Sequence, residues 1–189
     1  RGGPLQLDLE NLIFRNQNEL DEALSYHERA LKLREEINDS IGIAKSLNNI
    51  GSVYESKGDF TKALEVHKRA LNIRKELGLR GLESMSYTSI GAAYKALKDY
   101  KNALINLEHS IKIHKEFGIQ HPWTIYELGD INFRLKYYKK AVSYGKISLS
   151  ISENIIKKRD ASRLLWLSYK KTGQYSKALQ MLEIYQQLK

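Results

Sequence analysis

The strongest feature of this sequence is a pattern of residues that repeats about every forty positions. The segment 51–54 (GSVY) returns as 91–94 (GAAY), and the segment 58–64 (GDFTKAL) returns as 98–104 (KDYKNAL). The intervals are 40, 38 and 37 residues in the series Gly51, Gly91, Gly129 and Trp166. Repetition at such a period is typical of solenoids, in which each unit buries its apolar face against its neighbours.

We therefore expect one solenoid over the whole of residues 1–189, built from about five units. The first and last units match the pattern least well. The expected units lie at about residues 5–39, 41–79, 82–119, 122–156 and 159–189.

Within each unit, the apolar residues follow helical spacing in two successive segments. In the second unit, Leu47 and Ile50 share a face of the first segment, and Ala63 and Ala70 share a face of the second. Each unit is therefore expected to be a helix-turn-helix hairpin. The predicted fold class is all-α.

Turn and cap residues separate the expected helices. Gly58 and Asp59 mark the turn inside the second unit, and Gly78 stands where a glycine ends a helix. Pro122 fits the first turn of a helix, and Asp160 fits an N-cap position. These signals predict where several of the helices begin and end.

Charge is distributed unevenly along the chain. Residues 1–133 hold 18 Lys and Arg against 19 Asp and Glu, whereas residues 134–189 hold 13 against 3. The formal net charge of +9 therefore belongs to the last third, which includes the runs 157–159 and 170–171. Such a surface can attract an acidic partner, a nucleic acid or an anionic membrane, or it can be a solvated helix face.

Composition excludes several classes of site. The chain has no cysteine, so disulfides, thiolate zinc sites and cysteine nucleophiles are excluded. No apolar run approaches the roughly 18 residues of a membrane span, and no signal peptide is visible. Because the chain begins with Arg-Gly-Gly-Pro, we interpret it as a fragment. Its compartment, cytoplasmic or periplasmic, is left undetermined.

The repeated residues resemble the tetratricopeptide repeat, whose motif places a large apolar residue, Leu-Gly, Tyr, Ala and a second Ala at set spacings. The second unit matches this motif at Leu47, Ile50, Gly51, Tyr54, Ala63 and Ala70. Its lengthened repeats are similar to those of kinesin light chain, of the Leu-Gly-Asn class of adaptors and of sensor-regulator proteins of Bacteroidetes. The resemblance implies a right-handed superhelical solenoid, also called an α–α superhelix.

The chain departs from the motif in three units. Glu10 and Asn11 replace Leu-Gly in the first unit, so its first helix is expected to be frayed or incomplete. Asn132 replaces the tyrosine of the fourth unit, and Trp166 replaces the glycine of the last. Both changes are expected to alter local packing.

The resemblance also implies a concave groove lined by the first helix of each hairpin. The positions of these first helices that are not assigned to the core are predicted to face the groove. The predicted groove residues are Lys45, Asn48, Asn49, Ser52, Thr88, Lys95, Trp123, Tyr126, Asp130, Phe133 and Arg134. Further positions of the same kind are Glu55, Met85, Ser89, Ala92, Glu127, Arg163, Leu167, Lys170 and Lys171.

Two features of these positions favour binding. Asn48 and Asn49 resemble paired asparagines that hydrogen-bond an extended peptide, because an amide both donates and accepts; alternatively one of them only caps or solvates a helix. Trp123, Tyr126 and Phe133 share one side of a helix and are typical binding anchors. The alternative is that Trp123 packs against the preceding loop.

A specialised use of the fold is disfavoured. Co-chaperone repeats grip a C-terminal carboxylate with a clamp of lysines and asparagines in the groove. The matching positions here are Asp8 and Leu12, Asn48 and Ser52, and Thr88 and Ala92. The required Lys–Asn pairing is missing, so no such clamp is expected.

No constellation for catalysis is present in the sequence. His27-Glu28 begins like a zincin motif, but Leu31 stands where the second histidine is required. His114 and His121 are a weak candidate for metal binding. We predict no enzyme activity, no cofactor and no metal site.

The predicted function is a module that binds a protein or an extended peptide in its groove, as the sensor or regulatory part of a larger bacterial signalling protein. Two alternatives stay open. One is nucleic-acid binding through the basic C-terminal third. The other is a scaffold that self-associates end to end.

Overall fold

The computed structural model describes residues 4–189, with side chains from Gln17 onward. Within this range it consists of helices joined by short turns, with no strand. The helices are α1 (Pro4–Glu36), α2 (Ser40–Ser56), α3 (Phe60–Glu76), α4 (Arg80–Ala96), α5 (Tyr100–Glu116), α6 (Pro122–Arg134), α7 (Tyr138–Ile151), α8 (Ile155–Lys171) and α9 (Tyr175–Gln187).

The helices are divided between two compact units. Unit 1 is Arg1–Leu79 and holds α1 to α3, and unit 2 is Arg80–Lys189 and holds α4 to α9. In unit 1, α2 pairs with α3 and α1 packs on α2. In unit 2, the helices pair as α4 with α5, α6 with α7 and α8 with α9, and α6 also contacts α8. The predicted all-α fold of helical hairpins is confirmed, while the single solenoid with its five boundaries stays a prediction.

The turns of the first two hairpins, α2–α3 and α4–α5, share the same chemistry. The last residue before the second helix's cap has a positive φ, which is +78° at Gly58 and +62° at Lys98. Asp59 and Asp99 then cap α3 and α5 by accepting hydrogen bonds from the N–H groups of Lys62 and Asn102. The bond from the Lys62 N–H lowers the pKa of Asp59, and the side-chain amide of Asn102, followed by its N–H, lowers the pKa of Asp99.

Small residues let the helices of a hairpin approach closely. Ala63 and Ala70 are fully buried in unit 1, as the repeat predicted. An ideal Cβ on Gly51 would lie 2.4 Å from Cε1 of His67, whose side chain is fully buried. Glycine is therefore required at position 51, because the ring of His67 occupies the space of a side chain.

The first predicted hairpin is wrong, because α1 is one helix from Pro4 to Glu36. Asn18 and Glu19 occupy the positions at which Gly58 and Asp59 make the turn of the next unit. Glutamate lacks the short carboxylate that caps a helix start, so nothing there favours a break in the helix. The expectation about Glu10 and Asn11 lies outside the residues whose side chains are described.

Helix ends were predicted correctly at Gly78, which has a φ of +65°, and at Pro122 in the first turn of α6. The predicted N-cap at Asp160 is wrong. The helix α8 begins at Ile155, and its N-cap is Asn154, whose Oδ1 accepts from the N–H groups of Ile156 and Lys157. Asp160 therefore lies inside α8, and its side chain is partly exposed.

A candidate partner-binding cleft in unit 2

Seven of the predicted groove positions come together in unit 2. Five of them, on α4 and α6, line one side of a cleft of about 320 Å3, and residues of α8, including the other two, line the opposite side. The contributors from α4 and α6 are Lys95, Tyr126, Asp130, Phe133 and Arg134. Those from α8 are Asp160, Arg163, Leu164 and Leu167.

A second pocket of about 480 Å3 adjoins the cleft and shares Lys95 and Arg134 with it. Ala92, Ala96, Tyr100 and Trp123 give this pocket a mainly apolar lining, and the rest of it comes from Lys98 and Glu127. The Trp123 side chain is 42% exposed, and its ring centroid lies 5.8 Å from that of Tyr126. Trp123 therefore offers aromatic surface to a partner rather than being buried under the preceding loop.

An ion network separates the two pockets. Lys95 Nζ lies 2.7 Å from Glu127 Oε2 and 2.8 Å from Asp130 Oδ2, and Arg134 Nε donates to Asp130 at 2.9 Å. Arg134 also donates to the Tyr100 hydroxyl at 3.2 Å, and its guanidinium carbon lies 5.4 Å from the centroid of that ring. These contacts join α4 and the start of α5 to α6. They therefore hold the surface between the two pockets in one arrangement.

The network changes the titration of its members. Burial raises the pKa of Glu127 against the opposing effect of Lys95. Burial also disfavours the charged forms of Asp130 and Lys95, but their mutual contacts outweigh it, lowering the pKa of Asp130 and raising that of Lys95. Burial, together with the carboxylates of Asp130 and Asp160, raises the pKa of Tyr126 to about 12. The phenol of Tyr126 is therefore protonated at neutral pH and can donate a hydrogen bond.

Other predicted positions lie on α2 in unit 1. Lys45 and Ser52 are exposed there, and Asn48 and Asn49 are half-buried. Ser52 Oγ donates to the carbonyl of Asn48 at 3.1 Å, and Asn48 Oδ1 has no hydrogen-bond partner within the described part of the chain. Their membership of one groove with the cleft of unit 2 stays a prediction.

Thr88 does not line the cleft. Its hydroxyl donates to the carbonyl of Ser84 at 3.0 Å and lies 2.8 Å from Ser110 Oγ on α5. Thr88 therefore uses its polar group in the packing of α4 on α5. Of the residues compared with the carboxylate clamp, Asp8 and Leu12 lie outside the described side chains.

The sequence interpretation missed three residues around the cleft. Asp160 was assigned to a helix cap, Tyr100 was noted only as part of the repeated segment 98–104, and Leu164 was not selected. The sequence signal for Asp160 was Asn154, which caps α8 six residues before the predicted cap and so places Asp160 in the second turn of the helix. No sequence signal placed Tyr100 beside Arg134, because the two are far apart in the chain.

Neither a metal cluster nor a membrane-spanning helix occurs in the part of the chain that the structure describes. No group of three or more His, Asp and Glu side chains converges there, and no helix is both long and apolar enough to cross a bilayer. His114 and His121 stack with ring centroids 5.1 Å apart.

Comparison with known proteins agrees with this fold. Two family profiles, each described as tetratricopeptide repeat, match residues 12–76 and 86–116. The chain is a tetratricopeptide-repeat protein. Repeats of this family are interaction scaffolds without enzyme activity of their own, so the chain is a protein-interaction module. The sequence comparison finds no match among curated proteins.

Several solved structures are similar. BtubC (BKLC) from P. vanneervenii is 17% identical with a TM-score of 0.85, over 92% of this chain and 74% of that one. A putative kinesin light chain of Podosopora anserina is 16% identical with a TM-score of 0.75, over 100% and 97% of the two chains. The apo form of RapI is 20% identical with a TM-score of 0.74, over 91% of this chain and 48% of that one. At these identities the likeness shows the fold.

Proposed function

We propose that the cleft of unit 2 binds an extended segment of a partner protein. The observation that carries this proposal is the convergence of two pockets of different chemistry on one surface. An extended peptide presents successive side chains to different places on a surface, so adjoining pockets suit it better than they suit a small ligand.

The two pockets have separate tasks in this proposal. The pocket around Trp123 receives an apolar side chain, because Ala92 and Ala96 leave room beside the exposed indole. The polar cleft engages main-chain or charged groups through the protonated phenol of Tyr126 and through Arg163. Arg163 is exposed and belongs to no ion pair among the described residues, so its charge is available.

The ion network supports this use of the cleft by pre-organising it. Lys95 and Asp130 are already paired, so a partner does not have to order them on binding. Binding to a surface that is ordered beforehand loses less conformational entropy. The aromatic anchors Trp123 and Tyr126 are expected to supply most of the binding free energy.

The signalling role is a finer part of the same proposal. Its support is the resemblance of the lengthened repeats to those of sensor and regulatory proteins. In this role the chain binds a partner segment, and this binding regulates an output domain of a larger bacterial protein. A role of this kind predicts that a substitution that abolishes partner binding also abolishes the output of the parent protein.

The test is affinity capture with the purified chain as bait, followed by mass spectrometry. The binding variant is Trp123→Ala/Tyr126→Ala, and the matched control is Lys45→Ala/Asn48→Ala at the equivalent positions of α2. A second control, Ile105→Ala/Glu108→Ala, changes exposed residues of α5 outside both pockets. Circular dichroism checks that all variants are folded.

The expected result is a protein that the wild type and the α5 control retain and that the Trp123→Ala/Tyr126→Ala variant loses. The α2 control reports whether the predicted residues of unit 1 take part in the same site. Equal retention by the wild type and the Trp123→Ala/Tyr126→Ala variant would reject the cleft as the binding site.

A further inference from the structure

The helix α7 differs from its counterpart α5 in charge. The spacing of 38 residues from Gly91 to Gly129 also relates Tyr100 to Tyr138 at the two helix starts. At this spacing, each acidic residue of the α5 segment has lost its charge in α7. The replacements run from Asp99 to Tyr137, from Glu108 to Lys146 and from Glu116 to Asn154.

Each of the two segments contains four lysines, but at partly different positions. Lys98 and Lys101 correspond to Lys136 and Lys139, and Asn102 corresponds to Lys140. The later lysines Lys112 and Lys115 are replaced by Ser150 and Glu153, so the lysines of the second segment lie nearer the start of its helix. The helix α7 itself contains no Asp or Glu. With two exposed serines these lysines form the α7 basic stripe, defined as Lys136, Lys139, Lys140, Ser143, Lys146 and Ser150. None of its lysines is in an ion pair among the described residues.

This arrangement opposes the stability of α7. Lys139 and Lys140 lie in the first turn of α7, where positive charges oppose the helix dipole. Tyr137 makes no side-chain capping bond, in contrast to Asp99 at the start of α5. The helix α5 is also the second helix of a hairpin, and it carries both acidic and basic residues. A helix in this place therefore folds without the stripe.

We propose that the α7 basic stripe binds the phosphate backbone of double-stranded nucleic acid. The helix of 14 residues is about 21 Å long, so its lysines can reach several successive phosphates. Lysine ammonium and serine hydroxyl groups are common partners of phosphate oxygens. Tyr137 is the exposed aromatic ring beside the stripe among its described residues, and Lys140 Nζ already lies 5.8 Å from its centroid. Single-strand binding uses several rings on which successive bases stack, so contact with a duplex backbone fits the stripe better.

Other polyanions fit the stripe less well. A membrane-binding helix needs a broad apolar face beside its lysines, and Ile147 is the exposed large apolar residue on α7. None of the stripe residues lines either pocket of the proposed cleft. The stripe therefore provides a second surface, whose occupancy does not depend on the cleft.

The test measures the fluorescence anisotropy of a labelled 20-base-pair duplex from 50 to 200 mM salt. Neutralising three or four phosphates predicts a slope of about −3 in a plot of log affinity against log salt concentration. The variant Lys140→Asn/Lys146→Glu restores the residues that α5 carries at Asn102 and Glu108. It is expected to fold, to bind the duplex at least about tenfold more weakly at 50 mM salt, and to have a slope nearer zero by about 2.

The matched control is Lys62→Asn/Lys68→Glu, which makes the same charge change at the equivalent positions of α3. It is expected to stay within about threefold of the wild type, because neither lysine belongs to the α7 basic stripe and exposed charges are screened by salt. The variant Trp123→Ala/Tyr126→Ala is expected to bind the duplex normally, which separates this proposal from the cleft. Polyglutamate and vesicles with 30% phosphatidylserine serve as competing probes.

Three outcomes would overturn the proposal. The first is that the wild type does not bind the duplex at 50 mM salt. The second is that the α3 control loses as much affinity as the Lys140→Asn/Lys146→Glu variant. The third is that polyglutamate or the vesicles bind the stripe and the duplex does not, which would assign the surface to an acidic protein or a membrane instead.

Discussion

The helices α2 and α6 hold the same place in their hairpins and share a buried face. A spacing of 78 residues, from Gly51 to Gly129, aligns them. At this spacing Leu47, Ile50 and Val53 correspond to Ile125, Leu128 and Ile131, and all six residues are buried. The repeat therefore conserves the apolar character of the positions that the stacking of helices requires.

The exposed faces of the same two helices are different. Lys45, Asn48, Asn49 and Ser52 on α2 correspond to Trp123, Tyr126, Glu127 and Asp130 on α6. The α2 residues are polar and form no ion pair in the described structure, whereas the α6 residues carry aromatic surface and the ion network. The repeat therefore keeps the core positions alike, while outside the core α6 gains an ion network that α2 lacks.

The largest expected effect tests the shared packing. In Gly51→Ala the new Cβ would lie 2.4 Å from the rigid, buried ring of His67, whereas in Gly129→Ala it would lie 2.6 Å from Leu164 Cδ2, the end of a flexible side chain. We expect Gly51→Ala to lower the free energy of unfolding by about 3 kcal/mol and Gly129→Ala by about 1 kcal/mol, the overpacking range.

Urea denaturation measures this difference, and hydrogen exchange assigns the loss to α2 or α6. The alanine gains helix propensity equally at both sites, so the difference isolates the contact. Equal losses in the two variants, or a larger loss for Gly129→Ala, would show that the neighbour's rigidity does not decide the outcome.

A smaller effect tests the exposed faces. Asp130→Ala removes the carboxylate that pairs with both Lys95 and Arg134, while Ser52→Ala changes the equivalent exposed hydroxyl on α2. We expect a loss of about 2 kcal/mol for Asp130→Ala, because hydrogen bonds to charged groups are the stronger class. We expect Ser52→Ala to stay within about 0.5 kcal/mol of the wild type.

The comparison is made by urea denaturation at low and high salt. The loss caused by Asp130→Ala should persist at high salt, because the carboxylate is only 16% exposed and salt screens it weakly. If both variants match the wild type, the ion network does not stabilise α6 against α4.

The buried residues of the repeats were predicted well from the sequence. The hairpins from α2 onward, the fully buried Ala63 and Ala70 and the glycine turn at Gly78 all followed from the period and from local chemistry. These features depend on contacts between neighbouring segments, which a repeat copies. The wrong prediction of a hairpin at α1 has the same origin. The period of the other units was extended to the first unit, although Asn18 and Glu19 stand there in place of the Gly-Asp turn.

The candidate site was only partly predictable. Positions of α6 outside the core could be found by elimination, and seven predicted groove positions line one cleft. The pairing of Lys95 with Asp130 and the contact of Arg134 with Tyr100 could not, because they join helices whose distances are set by packing. Asp160 was missed because the start of α8 was placed too late along the chain.

The smallest expected effect concerns the starts of α2 and α6, which have different caps. Asp39 caps α2 by accepting from the N–H of Gly42, whereas His121 caps α6 through Nδ1, which accepts from the N–H of Thr124 at 3.3 Å. Protonation would place a hydrogen on Nδ1 and end this acceptance. Burial, and then the charge of Lys157, lower the pKa of His121, and burial, with His121, lowers that of the stacked His114.

A lowered pKa in the folded state means that the unfolded chain binds protons first as the pH falls. The contribution of the His121 cap is therefore complete above the unfolded pKa of about 6.5 and is lost as the pH falls through the lower folded value. We expect α6 to lose about 1 kcal/mol of local stability between pH 7.5 and pH 5, the typical worth of a cap. The start of α2 contains no histidine and serves as the internal reference.

Hydrogen exchange of α2 and α6 at the two pH values, corrected for the intrinsic exchange rates, measures the effect. The variant His121→Asn supplies a cap that does not titrate and removes the neighbour of His114, so its α6 should lose less protection at pH 5 than that of the wild type. If α6 of the wild type and of His121→Asn respond equally to pH, the histidine cap is not the origin of the pH dependence. The two helices would then differ in their exposed faces but not in the acid sensitivity of their starts.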